Sequence, residues 1–223
     1  MELYWRWDFF WKVFPSLIEG TLYTLAAAAA GYAVAIVLGL VLALLQRTNI
    51  KLLTFMVREG IEFIRSTPLL LQIFFVYFVA PQIGIELSPW MSGMITLGIY
   101  YSSYMSEVYR GGLEAVPAGQ WEACTALSFS TRDTYVRIII PQAIPPALAG
   151  MGNLLLGIFK DTPMLSVIGV AELMHNANAI GAEYYRFLEP YTTVGLIFLV
   201  ISLPTAGLIR VIESWTRRQL GIY

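Results

Sequence analysis

Apolar residues gather into five runs, at about 21–45, 61–80, 90–109, 143–159 and 191–212. A helix needs about 20 mostly apolar residues to cross a hydrocarbon core. The first run is the cleanest; the second contains Pro68, the fourth is short and rich in Gly and Pro, and the fifth contains Pro204. The pattern predicts an all-α integral membrane protein with five transmembrane helices. No internal repeat or low-complexity linker interrupts it, so 1–223 reads as a single domain.

Finer periodicities sit inside these runs. Ala27, Gly31, Ala35, Gly39 and Ala43 recur at a four-residue step along one face of the first span. In lipid such a smooth stripe lets two helix backbones approach closely. Lys51, Arg58, Glu62 and Arg65 share a helical face, with Leu52, Phe55, Met56 and Phe63 largely elsewhere. That pattern predicts a helix lying on the membrane interface before the chain turns inward. Ahead of the first span, Tyr4, Trp5, Trp7, Phe9, Phe10, Trp11 and Phe14 form an aromatic belt. No small-residue cleavage site follows, so the segment reads as an uncleaved anchor.

Charge sets the orientation. Arg47, Lys51, Arg58 and Arg65 lie between the first two spans, Arg110, Arg132 and Arg137 between the third and fourth, and Arg210, Arg217 and Arg218 in the tail. The other side holds Arg6, Lys12, Lys160 and Arg186. The positive-inside rule then places the N-terminus outside and the C-terminus in the cytoplasm.

Composition narrows the function. Only 13% of the 223 residues are charged and 57% are hydrophobic, against about 25% charged in a soluble domain. Net charge is −1 and no Lys/Arg cluster is present, so no nucleic-acid partner is expected. Cys124 and His175 are each single, which excludes an internal disulfide and a Cys-based metal site. Glu172 and His175 have a spacing that could put two ligands on one helix face, but the second motif of a di-iron bundle is missing, so no metal is expected. Neither H-E-x-x-H nor G-x-S-x-G occurs, and no Gly-rich loop precedes a lysine. The chain reads as a non-enzyme without catalytic residues.

The long connection at about 110–141 carries the most information. Loops of this length between spans are functional or disordered, and this one has helical punctuation. Pro117 can open a helix, and Ser130-Thr131-Arg132-Asp133 is a capping pattern. Two short helices meeting at a tight turn near Ser128 are predicted.

These positions resemble the EAA loop of permeases in the importer class of ABC transporters: Glu122-Ala123-Cys124, then Ser128, then Ile138, Ile140 and Pro141. Cys124 stands for Ala, Ser128 for Gly and Ile140 for Leu. Gly at such a turn usually serves a positive φ, where Ser costs roughly 1 kcal/mol; the alternative is a turn of negative φ. The segment Arg65-Ser66-Thr67-Pro68-Leu69-Leu70 with Gln72, the set Tyr104, Glu107, Arg110, Gly111 and Gly112, and the run Lys160-Asp161-Thr162 are similar to the polar amino acid branch of that class. Segments at 77–90, 188–190 and 201–204 look most like permeases for ectoine and hydroxyectoine.

The resemblance implies a type I importer permease in the bacterial inner (cytoplasmic) membrane. It would work with two ATP-binding ATPase subunits, a second permease of the same or related sequence, an extracytoplasmic solute-binding protein docking on about 162–190, and membrane lipid. The permease itself would bind no cofactor, with ATP and Mg held by the ATPase subunits. Gly119, Glu122, Ala123, Cys124, Ala126, Ser128 and Pro141 would form the ATPase-coupling loop. Candidates along the solute path are Gln72, Tyr100, Ser103, Glu107, Lys160, Asp161 and Thr162. Charge in hydrocarbon is costly and tends to be paired or functional. Glu107 either pairs with Arg110 at the interface or faces a cavity with Tyr100 and Ser103. Lys160 and Asp161 either contact a zwitterionic solute or form a structural pair. An ATP-independent secondary transporter or channel is the alternative reading; it would favour several intramembrane carboxylates and inverted repeats, and neither is evident.

Overall fold

A computed structural model describes residues 4–219; residues 1–3 and 220–223, the two ends of the expected single domain, lie outside the described residues. Every regular element among the described residues is a helix, with no strand.

Helix α1 spans Trp7–Leu45. It starts well before the expected residue 21, because the aromatic belt forms its first turns instead of a separate segment. At 1.5 Å per residue its 39 residues reach about 58 Å, longer than a hydrocarbon core of about 30 Å. Trp5, Trp7, Phe10, Trp11 and Phe14 stack on one another at centroid separations of 4.8–5.7 Å.

Helix α2 spans Lys51–Ser66 and α3 spans Leu69–Phe74, the latter running on through a π turn and a 3-10 turn to Ile83. The two meet at 103°, so the run expected as a span at 61–80 is bent sharply at Pro68. Proline disfavours the helical conformation in the residue before it, and Thr67 is extended at φ −107°, ψ 140°. One apolar side of α2 stays uncovered, with Leu52, Phe55, Met56 and Phe63 59–70% exposed, while Ile61 is buried.

Helix α4 spans Pro89–Glu114, opened by Ser88, whose hydroxyl accepts from the Met91 amide. Helix α5 spans Ala118–Ala126 and α6 is the short turn Thr131–Asp133, passing through a π turn into α7, Ile140–Asp161. A 3-10 segment, Thr162–Ile168, links it to α8, Leu173–Tyr184, and α9 spans Leu188–Gln219.

The core sits where α1, α4 and α7 pack, around Ala27, Ala35, Leu97, Tyr101 and Ile158. The small-residue stripe lies buried in it. A Cβ on Gly39 would stand 2.7 Å from Met105 Cβ and 3.1 Å from the Ser102 carbonyl oxygen, so the stripe's partner is α4. Overpacking typically costs 1–3 kcal/mol. Gly39→Leu should therefore lower the yield of monodisperse protein after detergent extraction several-fold. Gly60→Leu, with nothing within 4 Å of its added Cβ, should leave that yield unchanged.

Among the described residues three helices are long and apolar enough to cross a membrane, Trp7–Leu45, Thr131–Ile168 and Leu188–Thr216, with the bent pair at Thr67–Pro68 a fourth if it counts as one span. Helix α4 is not among them. Ser102, Ser103, Ser106 and Glu107 dilute its apolarity, and it is buried between its neighbours instead of facing outward.

At the end opposite α5, α8 closes over α1 and α9 through Phe9, Val13, Leu17, Leu173, Ala177 and Val194. Glu172 is fully buried there as the N-cap of α8: its carboxylate accepts from the Met174 and His175 amides, and Thr24 of α1 donates to it at 3.4 Å. Burial pushes this carboxyl up from its ordinary value, against the pull of those amides. The Glu172-x-x-His175 spacing thus serves a helix start.

Candidate functional site

The loop helix α5 has two sides. Gly119, Glu122, Ala123 and Ala126 recur at helical spacing, and all four are exposed. Cys124 lies on the other side and is 4% exposed. Trp121 joins it at the base, where Val116, Ile139 and Ala143 form a small apolar cluster. The Trp121 ring meets Tyr135 edge-on at 5.4 Å. The helix therefore stands on a fixed footing and presents a small-residue face with one carboxylate.

The turn after α5 resolves the question at Ser128. Its φ is +56°. The Ser128 amide donates to the Thr125 carbonyl and the Phe129 amide to the Cys124 carbonyl, both at 3.0 Å. This pair of bonds is a Schellman cap, which needs a left-handed residue at Ser128. Beyond the turn, Ser130 caps the next helix by accepting from the Asp133 amide at 3.1 Å. A left-handed non-glycine residue costs roughly 1–2 kcal/mol. Ser128→Gly should relieve part of that strain and raise the thermal midpoint of the purified chain by roughly 2–4 °C. A lower midpoint would show that the serine side chain makes a compensating contact. Leu127 and Phe129 flank the turn at 67% and 44% exposure. Pro141 sits in the first turn of α7, half-buried.

The solute-path candidates fall into distinct settings. Asp161 accepts a 2.7 Å hydrogen bond from the Tyr101 hydroxyl. Tyr101 packs against Tyr100 at 5.5 Å and Tyr104 at 6.3 Å, and the hydroxyls of Tyr100 and Tyr104 are 3.2 Å apart. The Arg65 guanidinium lies over the Tyr104 ring at 5.2 Å. One turn further along α4, Glu107 accepts from Arg110, which also reaches Glu114 at 2.7 Å. A tyrosine face thus runs from Asp161 toward a charge cluster at the α5 end. Of the two readings of Glu107, the pairing with Arg110 is present.

The other candidates stand apart from this face. Lys160 points away from Asp161, as neighbours about 100° apart on a helix must. It is exposed, makes no ion pair among the described residues, and lines a groove of about 520 Å³ with Pro163, Phe198 and Ser202. Ser103 is fully buried, its hydroxyl donating to the Tyr100 carbonyl at 2.6 Å. Thr162 is fully buried and donates to the Phe159 carbonyl at 2.8 Å. Gln72 mends the broken helix, its amide donating to the Ile64 carbonyl at 2.8 Å and to the Thr67 hydroxyl at 2.7 Å. Tyr101 was not among the candidates; the clustering of Tyr100, Tyr101 and Tyr104 on one side of α4 was the signal for it.

Residues 35–218 match a family described as the binding-protein-dependent transport system inner membrane component. A probable amino-acid ABC transporter permease protein of Sinorhizobium fredii, y4tG, is 41% identical over 202 residues, covering 91% of this chain and 87% of that protein. The glutamine transport system permease protein GlnP of Escherichia coli is 32% identical over 209 residues, covering 93% and 95%. A crystal structure of an amino acid ABC transporter with histidines superposes with a TM-score of 0.91 at 32% identity, over 95% of this chain and 99% of that one. The MetNI methionine ABC transporter shares the fold, at a TM-score of 0.70 and 16% identity, over 95% and 99% of the two chains.

Proposed function

The chain belongs to the family of binding-protein-dependent transport system inner membrane components, and from that premise we propose that it is the permease subunit of an ABC importer for a small polar or zwitterionic solute, driven by partner ATPase subunits. It has the all-helical type I permease fold and is a multi-pass protein of the inner membrane. The observation that carries the reading is α5, a short helix with a fixed inner side and an exposed face of Gly119, Glu122, Ala123 and Ala126. Such a helix suits the groove of an ATPase subunit and passes its movement to the spans. Two such ATPases hold ATP and Mg, and the permease binds no cofactor.

Packing supports a count of five spans. Helix α4, though polar, sits between α1 and α7; together with α1, the broken α2–α3 unit, α7 and α9 it makes five spans in one domain. The cationic connections then lie in the cytoplasm with α5 and the C-terminus, and the N-terminus and α8 lie outside. The outer surface around α8 receives the solute-binding protein. A single chain of five spans does not enclose a path, so a second permease, identical or related, completes it. The tyrosine face with Asp161 lines that path; Lys160, which turns to a groove on the α9 side, is a second and separate candidate contact.

Relatives named for glutamine and cystine, and a structure named for histidines, support an amino acid as solute. Ectoine, a compact zwitterion, is the second candidate on the sequence similarity noted above. Uptake of labelled ectoine, glutamine, cystine and histidine, in cells lacking the chain and again after its return, tests both. Restored ectoine uptake selects the compatible solute, and restored uptake of an amino acid alone excludes it. Uptake insensitive to vanadate would overturn the ATP-driven mechanism in favour of a secondary transporter.

A further inference from the structure

Arg47 follows the end of α1 by two residues, in the turn before α2. Its guanidinium donates to the Tyr135 hydroxyl at 3.0 Å. The same group lies 5.8 Å from the ring centroid of Trp121 and 5.8 Å from that of Tyr135. Those two rings meet each other edge-on. Trp121 belongs to α5, and Tyr135 belongs to the π turn that leads into α7. The remaining described contacts of α5 go to its footing, with Leu113 and Val116 at the end of α4 and with the α7 side, where the Gln142 amide donates to Gln120 at 3.3 Å. Among the described hydrogen bonds and ring contacts, Arg47 is what ties this unit to α1.

We infer that Arg47 is a positioning residue that transmits displacement of α5 directly to α1, beside the route through Trp121 and Tyr135 to α7. The inference rests on the importer reading, in which α5 is pushed by an ATPase. With both routes in place, the two helices that flank α4 move together when α5 moves. Lacking Arg47, α1 follows α5 only indirectly, through its packing on α4 and α7, and ATP is spent without a matching opening of the path. Arginine suits the role because its planar cation stacks on rings while its fork still donates a hydrogen bond. Each cation–ring contact at an exposed site is a roughly two- to fivefold effect, so the whole link should carry about five- to tenfold.

The test is the ratio of solute moved to ATP hydrolysed in proteoliposomes holding the complete complex, with labelled glutamine, cystine, histidine and ectoine as probes. Arg47→Ala should lower that ratio about five- to tenfold with ATP hydrolysis and membrane yield unchanged. Arg47→Lys, which keeps the cation over the rings, should recover about half of the loss. Adding Trp121→Leu to Arg47→Ala should cost little more than the worse single variant. An unchanged ratio, a parallel fall of uptake and hydrolysis, or fully additive losses would each overturn the inference. Wild-type uptake that persists without ATP would instead overturn the importer reading, and this inference with it.

Discussion

Glu122→Lys should cut uptake at least about tenfold while the amount of chain in the membrane stays the same. Glu122 is exposed on α5 and makes no ion pair among the described residues. A substitution there touches no internal contact, and surface changes of that kind are usually within about 0.5 kcal/mol of neutral for folding. The cost arises only where a partner covers the face. Like charges set against each other across an interface cost several kcal/mol, and about 1.4 kcal/mol already makes a tenfold change. The neighbours Gly119, Ala123 and Ala126 present no longer side chain to take over the contact. Membrane vesicles holding the variant should therefore hydrolyse ATP out of proportion to the solute they accumulate. Wild-type uptake at normal expression would remove α5 from the drive mechanism.

The parts of the molecule legible in the sequence are those set by local rules. The stripe from Ala27 to Ala43 lies buried, because only small residues permit the approach to Met105 and Ser102. The Ser130 cap formed as its spacing required. Ser128 was ambiguous because the sequence gives a residue type and not a dihedral angle; the Schellman bonds settle it. What the sequence hid is which partner each polar side chain takes, near or far along the chain. Gln72, a candidate for the solute path, bonds the Ile64 carbonyl that Pro68 leaves without its helical donor. Ser103 and Thr162 looked the same and bond to their own helix backbones. In a low-dielectric setting a hydroxyl gains by bonding a nearby carbonyl, so a polar stripe on a helix need not face a cavity. Arg47 carried no motif at all, since its rings lie 74 and 88 positions away.

Asp161→Asn is the substitution that separates a solute contact from a scaffold contact. Asn keeps an oxygen that accepts from Tyr101 but loses the charge, whereas Asp161→Leu loses both. If the carboxylate met only Tyr101, Asn should transport nearly as well as wild type, and Leu would suffer from the stranded tyrosine hydroxyl, at about 1–3 kcal/mol. If the carboxylate holds the cationic group of the solute, both variants should fail. A hydrogen bond to a charged group is worth about 1.5–3 kcal/mol, which corresponds to a roughly tenfold to hundredfold rise in the solute concentration needed for half-maximal uptake. The solute reading predicts that second outcome. Lys160→Met should give a separate loss in the same direction, because Lys160 faces the groove beside Phe198 and Ser202 instead of neutralising Asp161. Normal uptake in the Lys160→Met, Asp161→Leu double variant would place the solute path elsewhere in the chain.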